Sequence, residues 1–210
     1  MIPAQETVGA VVLALLELDA GSVGPLLLSR PFVVGPLVGT FFGSPLLGAG
    51  LGVAIEAVTL EEMPLGGRLD ISAPVAAGVA VWLAAGPCAL PAEAAFPVGL
   101  AVGWVHARVE LFLRRRRCAH VRRAQACLAQ ARPPKLGLEL SAALSVQVLT
   151  TFIVIITAFL AAGPALSRLW LLLPETLRSG ARCAVIAAPW LGAGGLAASL
   201  YRHIRARRIP

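Results

Sequence analysis

Long apolar stretches separated by short charged clusters dominate this chain. Six such segments are visible, at residues 8–18, 31–55, 73–85, 91–113, 136–162 and 181–200. About 20 apolar residues in a helix are needed to cross a bilayer. The longer segments meet that length, whereas 8–18 suits a half-span or an interfacial helix. The pattern predicts an all-α integral membrane protein, a polytopic helical bundle.

The segment at residues 31–55 is long enough to span but is interrupted throughout. Its 25 residues carry no charge, yet they include three prolines and six glycines. Gly35, Gly39 and Gly43 are four apart, so they share one helix face that another backbone can approach closely. We therefore predict two half-helices bent at Gly43-Ser44-Pro45, that is, broken or re-entrant helices in the N-terminal half. A single kinked span is the alternative.

The overall composition agrees with a membrane location. Hydrophobic residues make up 58% of the chain and charged residues 14%, whereas soluble domains carry about 25% charged residues. The N-terminal residues lack the basic region of a secretory signal peptide. The four cysteines form no CxxC pair and show no metal-ligand spacing, so we expect no cofactor and no metal site.

Positive charge is concentrated in two places, which predicts an orientation. The net charge is +7; nine of the 18 Lys and Arg residues lie between residues 108 and 135, and four more follow Tyr201. The positive-inside rule makes the basic loop 114–135 and the C-terminal tail cytoplasmic, with 163–180 as an external loop. The basic run has no aromatic stacking residues beside it, so we expect no nucleic acid but some binding to anionic membrane lipid.

The segments group into a single membrane domain over residues 1–210. We assign 1–72 to broken or re-entrant helices and a substrate loop, 73–113 to helices, 114–135 to the basic cytoplasmic loop and 136–210 to C-terminal helices and a basic tail. Within the last segment, Pro189-Trp190 and three glycines are expected to break the helix midway.

Ionisable residues at the end of the broken segment are the candidate substrate-binding residues. A charge within a membrane segment costs about 2.5–3.5 kcal/mol, so it is usually paired or lines a wet cavity. Glu56 could accept hydrogen bonds from sugar hydroxyls, or it could form a structural salt bridge with Arg68. Asp70 and Ser72 follow the Gly66-Gly67 turn, where backbone groups can come close to a ligand.

Other polar residues in the spans have simpler interpretations. The negative charge of Glu93 at the start of a helix interacts favourably with the helix dipole. His106 is a weaker candidate for a functional role than Glu56. The chain has no Ser-His-Asp order, no HExxH motif and no Walker loop. We therefore assign no catalytic residue to this chain alone.

Five pieces of the sequence together resemble a known family. They are Arg30-Pro31 with residues 35–39 (GPLVG), Leu47-Gly48 through Glu56, the loop 65–72, the segment 93–99 (EAAFPVG), and residues 173–180. In order and spacing they resemble the IIC component of the mannose/fructose/sorbose family of the bacterial sugar phosphotransferase system. The resemblance covers residues 24–200.

This resemblance implies a specific role and a set of partners. It implies a multi-pass protein of the bacterial cytoplasmic (inner) membrane that binds a hexose together with a IID-like membrane subunit. Cytoplasmic IIA and IIB phosphoryl carriers would then phosphorylate the sugar, and a homo-oligomer is left open. By position, Glu56 matches the family's intramembrane glutamate, and residues 66–72 match its sugar-side loop.

The sequence also departs from the family pattern, which leaves other interpretations open. The Pro-Pro-Asp loop ending is replaced by Asp70-Ile71-Ser72, Arg68 stands where a small residue is usual, and the chain ends near Pro210, where the family continues with a further membrane segment. The alternative is a degenerate, non-transporting scaffold or regulatory subunit derived from that family. A channel or transporter unrelated to sugar would share only the broken helices.

Overall fold

All regular structure in the described part of the chain is helical. The computed structural model describes residues 4–19, 27–60, 71–130 and 136–206. Its helices are α1 (Ala4–Leu18), α2 (Pro31–Phe41), α3 (Pro45–Thr59), α4 (Ala73–Ala85), α5 (Ala92–Ala129), α6 (Leu136–Thr157), a π-helical turn (Ala158–Ala162), α7 (Gly163–Leu172) and α8 (Glu175–Ala206). The prediction of an all-α fold is confirmed.

The broken segment folds into a tight helical hairpin. Pro31 and Pro45 each lie in the first turn of a helix, where the missing proline N–H would have no partner anyway. Gly43 in the turn between them has a φ of +69°, a conformation that side chains disfavour. The two half-helices are therefore confirmed over a single kinked span. At 1.5 Å per residue they are about 17 and 23 Å long, shorter than a bilayer core of about 30 Å.

Glycines bring the backbones of α2 and α3 into direct contact. A Cβ on Gly35 would collide with the carbonyl oxygen of Gly48, a Cβ on Gly48 with that of Gly35, and one on Gly52 with that of Pro31. Nearer the turn, a Cβ on Gly39 would lie 2.7 Å from the carbonyl oxygen of Ser44. The contacts pair positions in antiparallel order, so the two helices lie side by side along their length.

Helix α4 is the centre of the bundle. Its ten residues from Pro74 to Leu83 are all buried, and it packs against α1, α2, α3 and α5. Trp82 is 1% exposed, and its ring centre lies 5.7 Å from that of Phe42 and 5.5 Å from that of Phe159. Burial on all sides explains why this helix is apolar all round rather than amphipathic.

Three helices are long and apolar enough to cross a membrane in the described residues. They are Ala92–Ala129, Leu136–Leu160 and Glu175–Tyr201, and three shorter apolar helices accompany them. Together they confirm a membrane helical protein. The orientation of these helices and the single-domain division remain predictions.

Two expected loops are helical instead. Helix α5 continues to Ala129, so residues 114–129 of the expected basic loop are an extension of that helix. Arginine is a good helix former, and no glycine or proline interrupts this stretch. Likewise, α7 occupies residues 163–172 of the expected external loop, and α8 begins at Glu175.

The expected break in the last segment is also wrong. Helix α8 runs from Glu175 to Ala206 with Pro189 inside it. Transmembrane helices tolerate proline because neighbouring groups satisfy the freed backbone. Gly192 serves packing here, since a Cβ on it would lie 2.5 Å from the carbonyl oxygen of Ala57 in α3.

We expect Gly48→Ala to destabilise the protein and Gly50→Ala not to. Both glycines lie in α3, but a Cβ on Gly48 meets the backbone of α2, whereas one on Gly50 meets nothing within 4 Å. Gly50→Ala should be neutral or stabilise by up to about 1 kcal/mol through helix propensity. Thermal unfolding of the detergent-solubilised chain measures both. Equal melting temperatures would contradict the backbone contact.

Candidate functional site

The candidate carboxylate Glu56 lies at the open end of the α2–α3 hairpin. Its Oε1 accepts a hydrogen bond from Arg30 Nη1 at 3.1 Å, and the two side chains form an ion pair. Arg30 immediately precedes α2, so this pair joins the hairpin at the end opposite the Gly43 turn. The glutamate side chain is 16% exposed and the arginine 48%. A salt bridge is present at Glu56, but its partner is Arg30; the expected partner Arg68 lies outside the described residues, so that pairing stays a prediction.

One oxygen of Glu56 has unused hydrogen-bonding capacity. Its Oε2 is buried and has no hydrogen-bond partner in the described ranges. A carboxylate oxygen can accept two or more hydrogen bonds, and leaving it without any costs free energy. A ligand hydroxyl donating to this oxygen would recover that cost.

The other candidate residues are spread over the start of α4 and the preceding loop. Ser72 is 3% exposed, and its backbone N–H donates to the carbonyl of Gly103 in α5 at 3.0 Å. It thereby fixes the start of α4 against α5. Arg68 and Asp70 lie in residues 61–70, outside the described residues. That segment connects the end of α3, which carries Glu56, to the start of α4.

A buried polar network joins α1, α5 and α6, and the sequence reasoning missed it. Glu17 in α1 accepts hydrogen bonds from Gln147 Nε2 at 3.0 Å and from the Thr151 hydroxyl at 3.5 Å. Thr151 Oγ1 lies 3.0 Å from His106 Nε2. When the Thr151 hydroxyl donates to Glu17, its oxygen is left to accept from the Nε2–H tautomer of His106.

The same network continues to an ion-pair cluster on α5, in which Glu110 is buried and its two arginine partners are partly exposed. Arg117 Nη2 donates to Gln147 Oε1 at 2.6 Å and to Glu110 Oε1 at 2.9 Å. Arg114 Nε donates to the same Glu110 oxygen at 2.9 Å. Two carboxylates, counting Glu17, thus balance two guanidinium groups. Charge balance of this kind is what buried ions require, although Glu110 Oε2 and His106 Nδ1 are buried without a hydrogen-bond partner among the described residues.

The signals for this network were present but ambiguous. Gln147 and Thr151 are four apart on the most apolar span, so they share a helix face. Glu17 could be taken as the residue that ends an apolar segment, and Glu110 as one that flanks another. Nothing in the order of residues says that α1 and α6 are neighbours.

Two further ion pairs lie nearer the surface. Arg182 of α8 lies 3.5 Å from Glu93 at the start of α5, with side chains 62% and 23% exposed. His120 and Glu139 form a second pair, between α5 and α6. Glu93 therefore has a described structural partner besides the helix dipole. In the described segments, no group of His, Cys, Asp and Glu has the arrangement of a metal site.

One family matches nearly the whole chain. The model of the family described as the PTS system sorbose-specific IIC component matches residues 5–203. No curated protein and no solved structure shows a significant match to the chain.

We expect Glu110→Gln to destabilise the chain much more than Glu139→Gln. The first substitution leaves two arginines without their shared buried carboxylate, which should lower the free energy of unfolding by about 2–3 kcal/mol. The second alters a pair whose side chains are 42% and 38% exposed, so its cost should stay within about 1 kcal/mol. Denaturant unfolding in detergent micelles compares the two. Similar losses would show that the buried carboxylate adds no more stability than the exposed one.

Proposed function

Because the chain belongs to the family of sorbose-specific IIC components of the phosphotransferase system, we propose that it carries a hexose across the bacterial cytoplasmic membrane. It is a multi-pass membrane subunit of a sugar phosphotransferase system. In the proposal the hexose is of the mannose, fructose or sorbose type. A IID-like membrane subunit completes the path, and the phosphoryl group comes from cytoplasmic IIA and IIB carriers.

The observation that carries this proposal is the buried Glu56 oxygen that has no hydrogen-bond partner among the described residues. It lies in a hairpin of half-helices, and transporters build substrate sites from such interrupted helices. A carboxylate with one oxygen held by Arg30, and the other without a partner in the part of the chain that the structure describes, is oriented to accept a hydrogen bond from a sugar hydroxyl. Charged acceptors give stronger hydrogen bonds than neutral ones.

The proposed sugar site extends from Glu56 into the loop that follows α3. Arg68 and Asp70 would contribute a donor and an acceptor for further hydroxyl groups, and Ser72 would close the site where α4 begins. Support comes from connectivity, since residues 61–70 link the two helices on which Glu56 and Ser72 are fixed. The site binds and orients the sugar and performs no chemistry on it.

The phosphoryl donor is proposed to lie on other polypeptides. Of the histidines with described side chains, His106 is 1% exposed and bonded to Thr151, and His120 is paired with Glu139. A phosphoryl carrier needs an accessible ring nitrogen that can meet its partner protein. Buried His106 offers none, and the Nδ1 of the partly exposed His120 is engaged by Glu139. Cytoplasmic carriers acting on the released sugar fit this arrangement.

The proposed orientation puts the basic end of α5 and the C-terminal tail in the cytoplasm. Both basic clusters follow long apolar helices, as the positive-inside rule requires. The whole chain is proposed to act as one membrane domain. Only 11% of the membrane window of α8 is buried against the rest of the chain, which supports a neighbouring subunit, a IID-like protein or another copy.

A degenerate scaffold subunit is the second candidate, and the Arg30–Glu56 pair favours it. That pair can be read as a purely structural clamp on the hairpin, with no ligand involved. The replaced loop ending at Asp70-Ile71-Ser72 points the same way. In this case the chain assembles with its partners but moves no sugar.

We expect Glu56→Gln to weaken hexose binding by about tenfold or more, because a charged hydrogen bond is worth about 1.5–3 kcal/mol. Glu93→Gln is the matched control, since it also removes a carboxylate paired to an arginine. Uptake of radiolabelled mannose, fructose and sorbose, with the partner subunits present, measures the effect. Asp70→Asn should also reduce uptake if the loop contributes to the site.

The double variant Arg30→Glu with Glu56→Arg separates the two candidates. Exchanging the charges keeps an ion pair across the hairpin, so the complex should still assemble. If Glu56 accepts a hydrogen bond from a sugar hydroxyl, the double variant should take up no sugar, since an arginine at that position cannot accept a hydrogen bond. If the double variant takes up sugar at the wild-type rate, the sugar-binding role of Glu56 is refuted. If the unmutated chain assembles with its partners but takes up no sugar, the scaffold is favoured.

A further inference from the structure

An open apolar groove lies on the outer surface between α5 and α6. It has a volume of about 640 Å³. Its α5 wall includes Val98, Ala101 and Val105, and its α6 wall includes Ile153, Val154 and Thr157. The lining is almost wholly hydrocarbon, so the groove suits a flexible apolar chain rather than a sugar.

The α5 wall of the groove continues into a stripe of alternating aromatic and basic residues. Trp104, Arg108, Phe112 and Arg116 are spaced by four, so they follow one another along one face of the helix. The guanidinium carbon of Arg108 lies 5.1 Å from the centre of the Trp104 ring, and that of Arg116 lies 4.8 Å from the Phe112 ring. Both rings are about half exposed.

Along this face, apolar residues are followed by aromatic and then by basic residues, in the order that matches the acyl chain and the headgroup of a lipid. An apolar groove ends at Val105, an aromatic ring follows, and arginines come next. Aromatic rings favour the bilayer interface, and arginine side chains reach from apolar surface towards headgroups. A guanidinium stacked on a ring still presents N–H donors at its edge, and these match phosphate oxygens.

No carboxylate competes for these arginines in the described ranges. Glu110, two residues from Arg108, accepts from Arg114 and Arg117 on another side of the helix. Glu139 on α6 pairs with His120. The exposed arginines therefore leave a positive surface beside the groove. A second copy of this chain would bring the same charge to it, whereas an anionic lipid brings the opposite one.

We propose that this face binds one anionic phospholipid, with an acyl chain in the α5–α6 groove and the headgroup phosphate at Arg108 and Arg116. The site is separate from the proposed sugar site on the α2–α3 hairpin and does not depend on it. Because its polar contacts are made by charged arginines, the site distinguishes lipids by the charge of their headgroup as well as by the depth at which the headgroup lies in the membrane.

Native mass spectrometry of the full chain in detergent, titrated with dioleoyl phosphatidylglycerol or dioleoyl phosphatidylcholine, tests this proposal. We expect the anionic lipid to bind first and Arg108→Gln to weaken it about fivefold, the effect of one basic residue near a headgroup. Arg123→Gln is the matched control. It removes another exposed arginine from the same helix, about 22 Å farther along the axis, and should leave binding unchanged.

A second variant tests the groove itself. Ala101 is exposed on the groove wall, so Ala101→Phe fills the groove without entering the core and should also displace the lipid. Equal binding of the two lipids, or equal effects of Arg108→Gln and Arg123→Gln, would overturn the proposal. So would a lipid-free dimer that Ala101→Phe disrupts, because it would identify a second copy as the occupant. Unchanged lipid binding in Ala101→Phe would refute the groove as the acyl-chain site.

Discussion

The backbone contact between α2 and α3 is the interaction on which the rest of the structure depends. Glycines at 35, 48 and 52 allow the two helices to approach until main-chain atoms touch. Without side chains between them, the half-helices form one thin layer that fits against α4 and α8. The same contact brings the start of α2 beside the end of α3, which is why Arg30 and Glu56 form a pair across 26 residues.

A second constraint is that buried polar groups must find partners within the protein. Apolar surroundings offer no water to an isolated charge, so ions buried there are stable only when paired. The Glu17 to Arg117 network meets this requirement for most of its groups by joining α1, α5 and α6 around balanced charges, and Glu110 Oε2 and His106 Nδ1 are the buried atoms left without a described partner. It also divides the arginine run, because Arg114 and Arg117 serve this interior network while Arg115 and Arg116 are exposed.

Family membership and geometry support one functional interpretation from different directions. The family match over residues 5–203 identifies a sugar phosphotransferase subunit, and the hairpin offers Glu56, whose Oε2 has no hydrogen-bond partner in the described residues. The long α5 helix connects three regions of distinct chemistry. Its start contacts α8, its middle contributes to the buried network, and its basic end leaves the apolar part of the bundle.

Local sequence determined where the apolar helices lie and where the hairpin bends, but the helices over 114–129 and 163–172 were expected to be loops. Proline and glycine act on the backbone of their own turn, so Pro31, Gly43 and Pro45 could be interpreted without knowing any neighbour. Apolar length likewise predicted the spans. Tertiary structure decided whether Pro189 breaks its helix, because packing compensates a lost backbone hydrogen bond. It also decided that Glu56 meets Arg30 and that Glu17 meets Gln147, since ion pairs and hydrogen bonds between distant residues exist only once the helices have packed.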